Sequence, residues 1–281
     1  PQKAHRPIRL PDIISSGMVL QQQTEVKIWG KATPGSRISI HTDWTRKDIS
    51  TEADADSTWF LRVTTPKASW HQHVIALREN GNATTQVVLS NVLIGEVWFC
   101  SGQSNMEMFL NGFGGCPIDG ANEEIATAAE WAGRIRMANV PKTGNTEPQE
   151  WVSGCKWNVP DVNTAPWMSA AAWHFAKMLT RTLQVPVGII SCAWGGSRVE
   201  GWLPRNILES YPDIKLEEEL KRGWNGRWWE YHSPMIMYNA MLHPLRHYTI
   251  KGFLWYQGES NDILSGGVWC GCAPRLRPPF C

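Results

Sequence analysis

The sequence predicts an α/β protein in two parts: an all-β segment over residues 1–93, then a parallel α/β domain over 94–262. Three observations carry this. Residues up to about 93 hold short apolar–polar alternations set off by turn residues. Beyond them, continuous apolar runs alternate with segments of helical spacing. Three of those apolar runs end in polar loops rich in Gly, Ser, Gln and Asn.

In chain order, "EVKIWGKA" and "SRISIHT" alternate with period two on either side of a "TPGS" turn. "STWFLRVTTP" is a further strand. "HVIALRENGNATTQVVLSNV" reads as two strands joined through Asn80, Gly81 and Asn82, a strong hairpin signal. Short strands at this spacing predict a small β-sandwich. Asn82-Ala83-Thr84 also fits a glycosylation sequon, a triplet common by chance.

From residue 94 the pattern changes. "LIGEVWFCS" is a buried strand, and "APWMSAAAWHFAKMLTRTLQ" has helical spacing and alanine-rich propensity. It leads through Pro186 into the strand "VPVGIISCAW". "SPMIMYNAMLHPLRHY" starts as a helix that Pro244 limits. "TIKGFLWYQGESN" is a third strand and its loop. Alternating strands and helices predict a parallel sheet, whose sites form beyond the C-terminal strand ends. The loops to read are therefore "SGQSNM", "WGGSRVEGW" and "YQGESN", all expected on one edge. The segment 263–281 has three cysteines, three prolines and no periodicity, and reads as an atypical tail.

Composition excludes several classes. The chain has 281 residues, 42% hydrophobic and 19% charged, with net charge +1. That balance gives no reason to expect a nucleic acid or an anionic membrane as partner. No apolar run approaches the roughly 18 residues that would span a bilayer. The opening "PQKAHRPIRLPDI" contains no apolar signal segment. Seventeen tryptophans offer flat faces suited to sugar rings, although most are expected in the core. The seven cysteines form no pair of Cys-x-x-Cys units, so no structural zinc is expected. Cys100 and Cys192 read as buried thiols. Cys116 and Cys155 are a pair that an oxidising compartment would allow to join.

Acyl transfer by serine needs an exposed hydroxyl, a base, an orienter for the base and donors for the oxyanion. Ser104, on a strand-to-helix turn, fits the first need. Gly195 and Gly196 let a backbone N–H come close to a substrate oxygen. Gln257 supplies a side-chain donor. Each loop alone is a weak signal, and Gly-Gln-Ser-Asn is not the Gly-x-Ser-x-Gly elbow. Together, each after a buried strand, they point to one site.

"GEVWFCSGQSNMEM", "VPVGIISCAWGGSRVEGW" and "IKGFLWYQGESN" resemble three signature blocks of the sialate O-acetylesterase family of SGNH-type hydrolases. "LPDIISSGMVLQQQTEVKIWGKATPG" is similar to that family's N-terminal β-domain, and the likeness covers roughly residues 8–262. The resemblance implies a flavodoxin-like three-layer α/β/α domain, incomplete at its C-terminal end, beside the β-sandwich. It implies Ser104 as nucleophile, with Gly196, the Ser104 N–H and Gln257 as oxyanion donors. Gln103, Asn105, Trp194, Glu259 and Asn261 are candidate substrate-binding residues. The implied partner is an acetylated carbohydrate, sialic acid or a polysaccharide, with no metal and no cofactor. A secreted, periplasmic or lysosomal setting goes with the resemblance.

The family's base comes from a later Asp-x-x-His block, and no Asp or His follows Asp262 here. His174, His232, His243 and His247 are the remaining candidates. His174 sits on an apolar helix, and Pro244 separates His243 from His247. His71 and His73 read as a solvated strand face. The chain as written is thus expected to be nearly inactive. The alternative is a non-catalytic carbohydrate-binding protein, or pseudoenzyme, that holds sugar on tryptophans such as Trp194 and Trp202.

Overall fold

A computed structural model describes residues 8–45, 47–212, 214–221 and 231–262. The tail 263–281, with Cys270, Cys272 and Cys281, lies outside the described residues. The strands are β1 (Val19–Gln21), β2 (Glu25–Lys31), β3 (Arg37–Thr42), β4 (Ile49–Glu52), β5 (Thr58–Thr64), β6 (Ser69–Glu79) and β7 (Asn82–Gly102). They continue with β8 (Ile135–Asn139), β9 (Trp157–Asn158), β10 (Val187–Ala193) and β11 (Gly252–Tyr256). The helices are α1 (Ser104–Glu107), α2 (Ala121–Ala126), α3 (Ala170–Leu183), α4 (Arg205–Leu208), α5 (Leu216–Leu220) and α6 (Glu259–Asp262).

β7 organises the fold. Its first half pairs antiparallel with β6 across the Asn80–Gly81 turn, where φ is +50° and +70°, as a two-residue hairpin requires. Its second half pairs parallel with β10 on Glu96–Gly102 and with β11 on Trp98–Gly102. The change of partner explains the change of pattern in the sequence. Residues 82–91 largely alternate, with one face open, while 92–102 are almost continuously buried, as a strand covered on both faces must be. The expected boundary at 93/94 therefore falls inside one strand.

The sheet runs β4-β3-β6-β7-β10-β8-β9, with β1 and β11 also on β7, and β2–β5 form a separate two-stranded ribbon. One core joins the two halves: Ile28, Ile38 and Ile75 share it with Ile190, Met237 and Met241. A second cluster packs α3 on the parallel strands through Ala172, Trp173 and Ala176. α3 begins where the Ser169 hydroxyl caps the Ala172 N–H, and it ends at Gln184 in the left-handed conformation, just before Pro186.

Two expectations need correction, and a cysteine pairing that the sequence left open is resolved. "SPMIMYNAMLHPLRHY" does not form a regular helix; it makes a π turn over Tyr238–Leu242 and a 3₁₀ turn over His243–Leu245. The Pro244 ring removes a donor and clashes with an α-helical continuation. Cys116 and Cys155 are both free: Cys116 is exposed and Cys155 is fully buried. His73 is no solvated residue, because it falls on the face of β6 that carries Ile75 and Leu77 into the core; His71, at the strand's end, is exposed. Cys100 and Cys192 are buried thiols, and burial pushes Cys100 up to about 12.

Gly102 is the tight point. It has φ +146°, and a Cβ there would stand 1.9 Å from the Tyr256 carbonyl oxygen. Gly102→Ala is expected to destabilise the protein by at least about 3 kcal/mol through strain and overpacking. Gly114→Ala, in open space with no such φ, is expected to be near neutral. Denaturant midpoints at unchanged m-value check the pair.

Candidate functional site

The strand registers bring the three loops together. Ala193 and Tyr256 both stand opposite Gly102, so β7, β10 and β11 end level with one another. The Trp194 N–H donates to the Gly102 carbonyl (3.0 Å), and the Gln103 N–H donates to the Tyr256 carbonyl (3.0 Å). Ser104 then opens α1, half-buried and close to the second loop: a Cβ on Gly195 would lie 3.5 Å from the Ser104 Cβ. The Ser104 hydroxyl makes no hydrogen bond to a described residue.

Gln103 is buried and ties β7 to the third loop. Its Oε1 accepts from Gln257 Nε2 (3.2 Å), Gly258 N–H (3.3 Å) and Ser260 N–H (3.2 Å), and its Nε2 donates to the Ser260 hydroxyl (3.3 Å). Gln257 Nε2 also lies within reach of the Ser197 carbonyl (3.1 Å) and Asn261 Oδ1 (3.1 Å). Two N–H groups thus face three acceptors, and Gln257 reaches an oxyanion only by giving one up. Asn261 bridges loops: its Oδ1 accepts from the Val199 N–H (3.0 Å) and its Nδ2 donates to Glu200 Oε2 (2.8 Å). Asn105 is exposed and donates to Glu259 Oε1 (2.5 Å).

The second loop is held from several sides. The Gly195 N–H donates to Glu107 Oε2 (2.5 Å), and Glu107 in turn pairs with Lys142. Gly195 is therefore spent, whereas the Gly196 N–H, at φ +78°, has no acceptor among the described residues. The Ser104 N–H is likewise unpaired there, being at the first turn of a helix. The Gly196 carbonyl accepts from His232 Nε2 (2.9 Å). Trp194 is half-buried against the Tyr231 ring (5.6 Å between centroids). Trp202 is not a sugar platform: it is 3% exposed, and its Nε1 donates to the Ser197 hydroxyl (2.9 Å).

Of the histidines weighed as bases, only His232 touches these loops through a recorded hydrogen bond. His174 is exposed on α3, and His243 Nδ1 donates to the Gln149 carbonyl (3.0 Å). His247 packs edge-on against Trp29 (5.7 Å) and Phe60 (5.8 Å). Glu107 and Lys142 were missed. Glu107 stands three residues after Ser104, one turn along α1, a spacing legible in "SNME"; nothing local marks Lys142.

A family profile described as carbohydrate esterase, sialic acid-specific acetylesterase, matches residues 94–265. The sialate O-acetylesterase of Mus musculus is 29% identical, the alignment covering 95% of this chain and 55% of the mouse protein. That of Homo sapiens is 31% identical over 90% of this chain and 49% of its own length. The crystal structure of a carbohydrate acetylesterase from Xanthomonas citri superposes with TM-score 0.77 at 29% identity, covering 90% of this chain and 52% of the other. The chain thus spans about half the length of the relatives it matches.

Glu107→Ala would leave the Gly195 N–H and Lys142 without their acceptor. We expect a loss of about 1–3 kcal/mol, and a smaller loss for Glu107→Gln, both read by denaturant titration.

Burial holds His232 and His247 below the ordinary histidine value of about 6.5. Below that pH the unfolded chain binds more protons than the folded one, so stability is expected to fall as pH drops from about 6.5. Thermal unfolding against pH should show this, and the His232→Gln, His247→Gln double substitution should flatten that part of the profile.

Proposed function

Because the chain belongs to the sialic acid-specific acetylesterase family of carbohydrate esterases, we propose that its chemistry is hydrolysis of O-acetyl esters on a carbohydrate through an acyl-enzyme on Ser104. The observation that carries this reading is the level ending of β7, β10 and β11, which sets Ser104 beside the Gly195–Gly196 turn. Residues 94–262 then act as an SGNH-type α/β/α domain, and the β-rich part before them as the family's β-sandwich.

Ser104 Oγ adds to the acetyl carbonyl carbon and gives up its proton to solvent water, which supplies the proton the leaving sugar oxygen takes. The carbonyl oxygen becomes an oxyanion between the Ser104 and Gly196 N–H groups, two backbone donors with no acceptor among the described residues. Gln257 backs them by fixing the loop at the Ser197 carbonyl, and it becomes a third donor by exchanging one acceptor. Collapse expels the sugar oxygen, which takes a proton. Water then adds to the acetyl-serine and acetate leaves. Asn105, which is exposed, and Trp194, which is half-buried, are the residues we assign to the sugar.

Proton removal from Ser104 is the demanding step, since no imidazole is bonded to its hydroxyl among the described residues. Loss of the histidine of a serine triad costs on the order of 10⁶ in kcat. An activated acetate ester needs little help with its leaving group, but hydrolysis of the acyl-enzyme needs an activated water. We therefore expect 4-nitrophenyl acetate to leave a long-lived acetyl group on Ser104, seen by peptide mass mapping and absent from Ser104→Ala and from the denatured chain. No acetyl group on Ser104 would sink this reading. Binding of acetylated sugar without acetylation would favour the non-catalytic one, which the missing imidazole contact supports. Fast turnover lost in His232→Ala would make His232 the base.

A further inference from the structure

We propose that Asp43, His71 and His73, outside the esterase-like site, form a binding site for a divalent transition-metal ion of the zinc type. The inference is independent of the reading of Ser104. β6 is irregular in register between Ser69 and Ile75, and there it brings the His71 and His73 rings to 4.7 Å of one another. β3 lies antiparallel beside it and ends at Thr42, opposite Ile75. Asp43 follows at once and is fixed to β6: its N–H donates to the Val74 carbonyl (3.3 Å), and its Oδ2 accepts the Val74 N–H (3.0 Å). The carboxylate is thereby held facing the histidine pair.

The distances suit a single ion. His73 Nδ1 is 2.8 Å from Asp43 Oδ1, and His71 Nε2 is 3.7 Å from Asp43 Oδ2. One ligand atom from each of the three residues lies within 4.8 Å of the others. Zinc bonds to N and O of about 2.0–2.1 Å in a tetrahedron put ligand atoms roughly 3.3 Å apart. Small side-chain rotations therefore close the set around an ion.

The chemistry is also specific. Two imidazoles and one carboxylate suit zinc-type ions, whereas calcium and magnesium require more oxygen ligands. His73 is 8% exposed and sits edge-on to Trp44 (5.0 Å), so its ring is fixed before any ion arrives. His71 is exposed and provides access, its ring 4.7 Å from that of His73. An ordinary His–Asp pair would need only His73; the second imidazole on the same carboxylate is what the metal reading explains. Binding displaces the His73 proton that Asp43 now accepts and ties the turn after β3 to β6.

The test is Zn²⁺ titration of the chelator-stripped full chain, its accessible cysteines alkylated under native conditions so that thiols do not compete. We expect one equivalent of Zn²⁺ to bind, at least about ten-fold more weakly in His71→Ala and Asp43→Asn. His71 is exposed, so an unchanged circular dichroism spectrum should accompany the loss in His71→Ala. Co²⁺ should give visible d–d absorption in the parent chain that His71→Ala lacks. Equal Zn²⁺ affinity in the parent and in folded His71→Ala, or Co²⁺ absorption that survives it, would overturn the proposal.

Discussion

The parallel pairing of β7 on both of its edges is the constraint from which the site follows. β10 and β11 run beside the same residues, and both end opposite Gly102. Neighbouring strands lie about 4.8 Å apart, so three chain segments that are distant in sequence leave the sheet almost touching. The missing side chain at Gly102 lets the Tyr256 carbonyl come in, and that carbonyl takes the Gln103 N–H. Ser104 is placed by this bond and by the start of α1, before any of its own contacts matter.

The loops then hold one another. Gln103 gathers the third loop on its amide oxygen, Gln257 reaches the second loop through the Ser197 carbonyl, and Asn261 fastens Val199 and Glu200. Glu107 takes the Gly195 N–H from below. Bonds of this kind, mostly part-buried, strengthen each other where the local dielectric is low. Several residues singled out in the sequence as candidate substrate contacts thus spend polar atoms on one another. The N–H groups of Ser104 and Gly196 have no acceptor among the described residues.

The same strand makes the β-rich half and the α/β half one structure. β7 passes from an antiparallel pairing with β6 to parallel pairings with β10 and β11, and the apolar residues of both halves form a common core. β11 pairs only with β7 among the described strands, and Phe253, Trp255 and Tyr256 are 58%, 42% and 50% exposed there. At the other end, the adjacent strands β3 and β6 bring Asp43, His71 and His73 together.

The strands around Ile28, Ile38, Leu61, Ile75 and Ile189, the helix over 170–183, and the three polar loops were legible in the sequence, because period-two, period-3.6 and continuous apolar patterns each report local burial. The regions around β8, β9 and α2 carry no strong pattern and were not. Ser104 and the Gly195–Gly196 pair could be singled out from their place after buried strands, and the family resemblance alone chose Gly196. What the amides of Gln103 and Gln257 bind, that Trp202 is buried, and that Glu107 takes the Gly195 N–H could not. Those depend on partners from 5 to 157 positions away. By itself the sequence determined which segments are strands and which loops leave them, since burial pattern is a local property. Only the tertiary structure decided which polar atoms in those loops are spent on one another and which remain free, because hydrogen bonds are shared out by proximity in space and not along the chain.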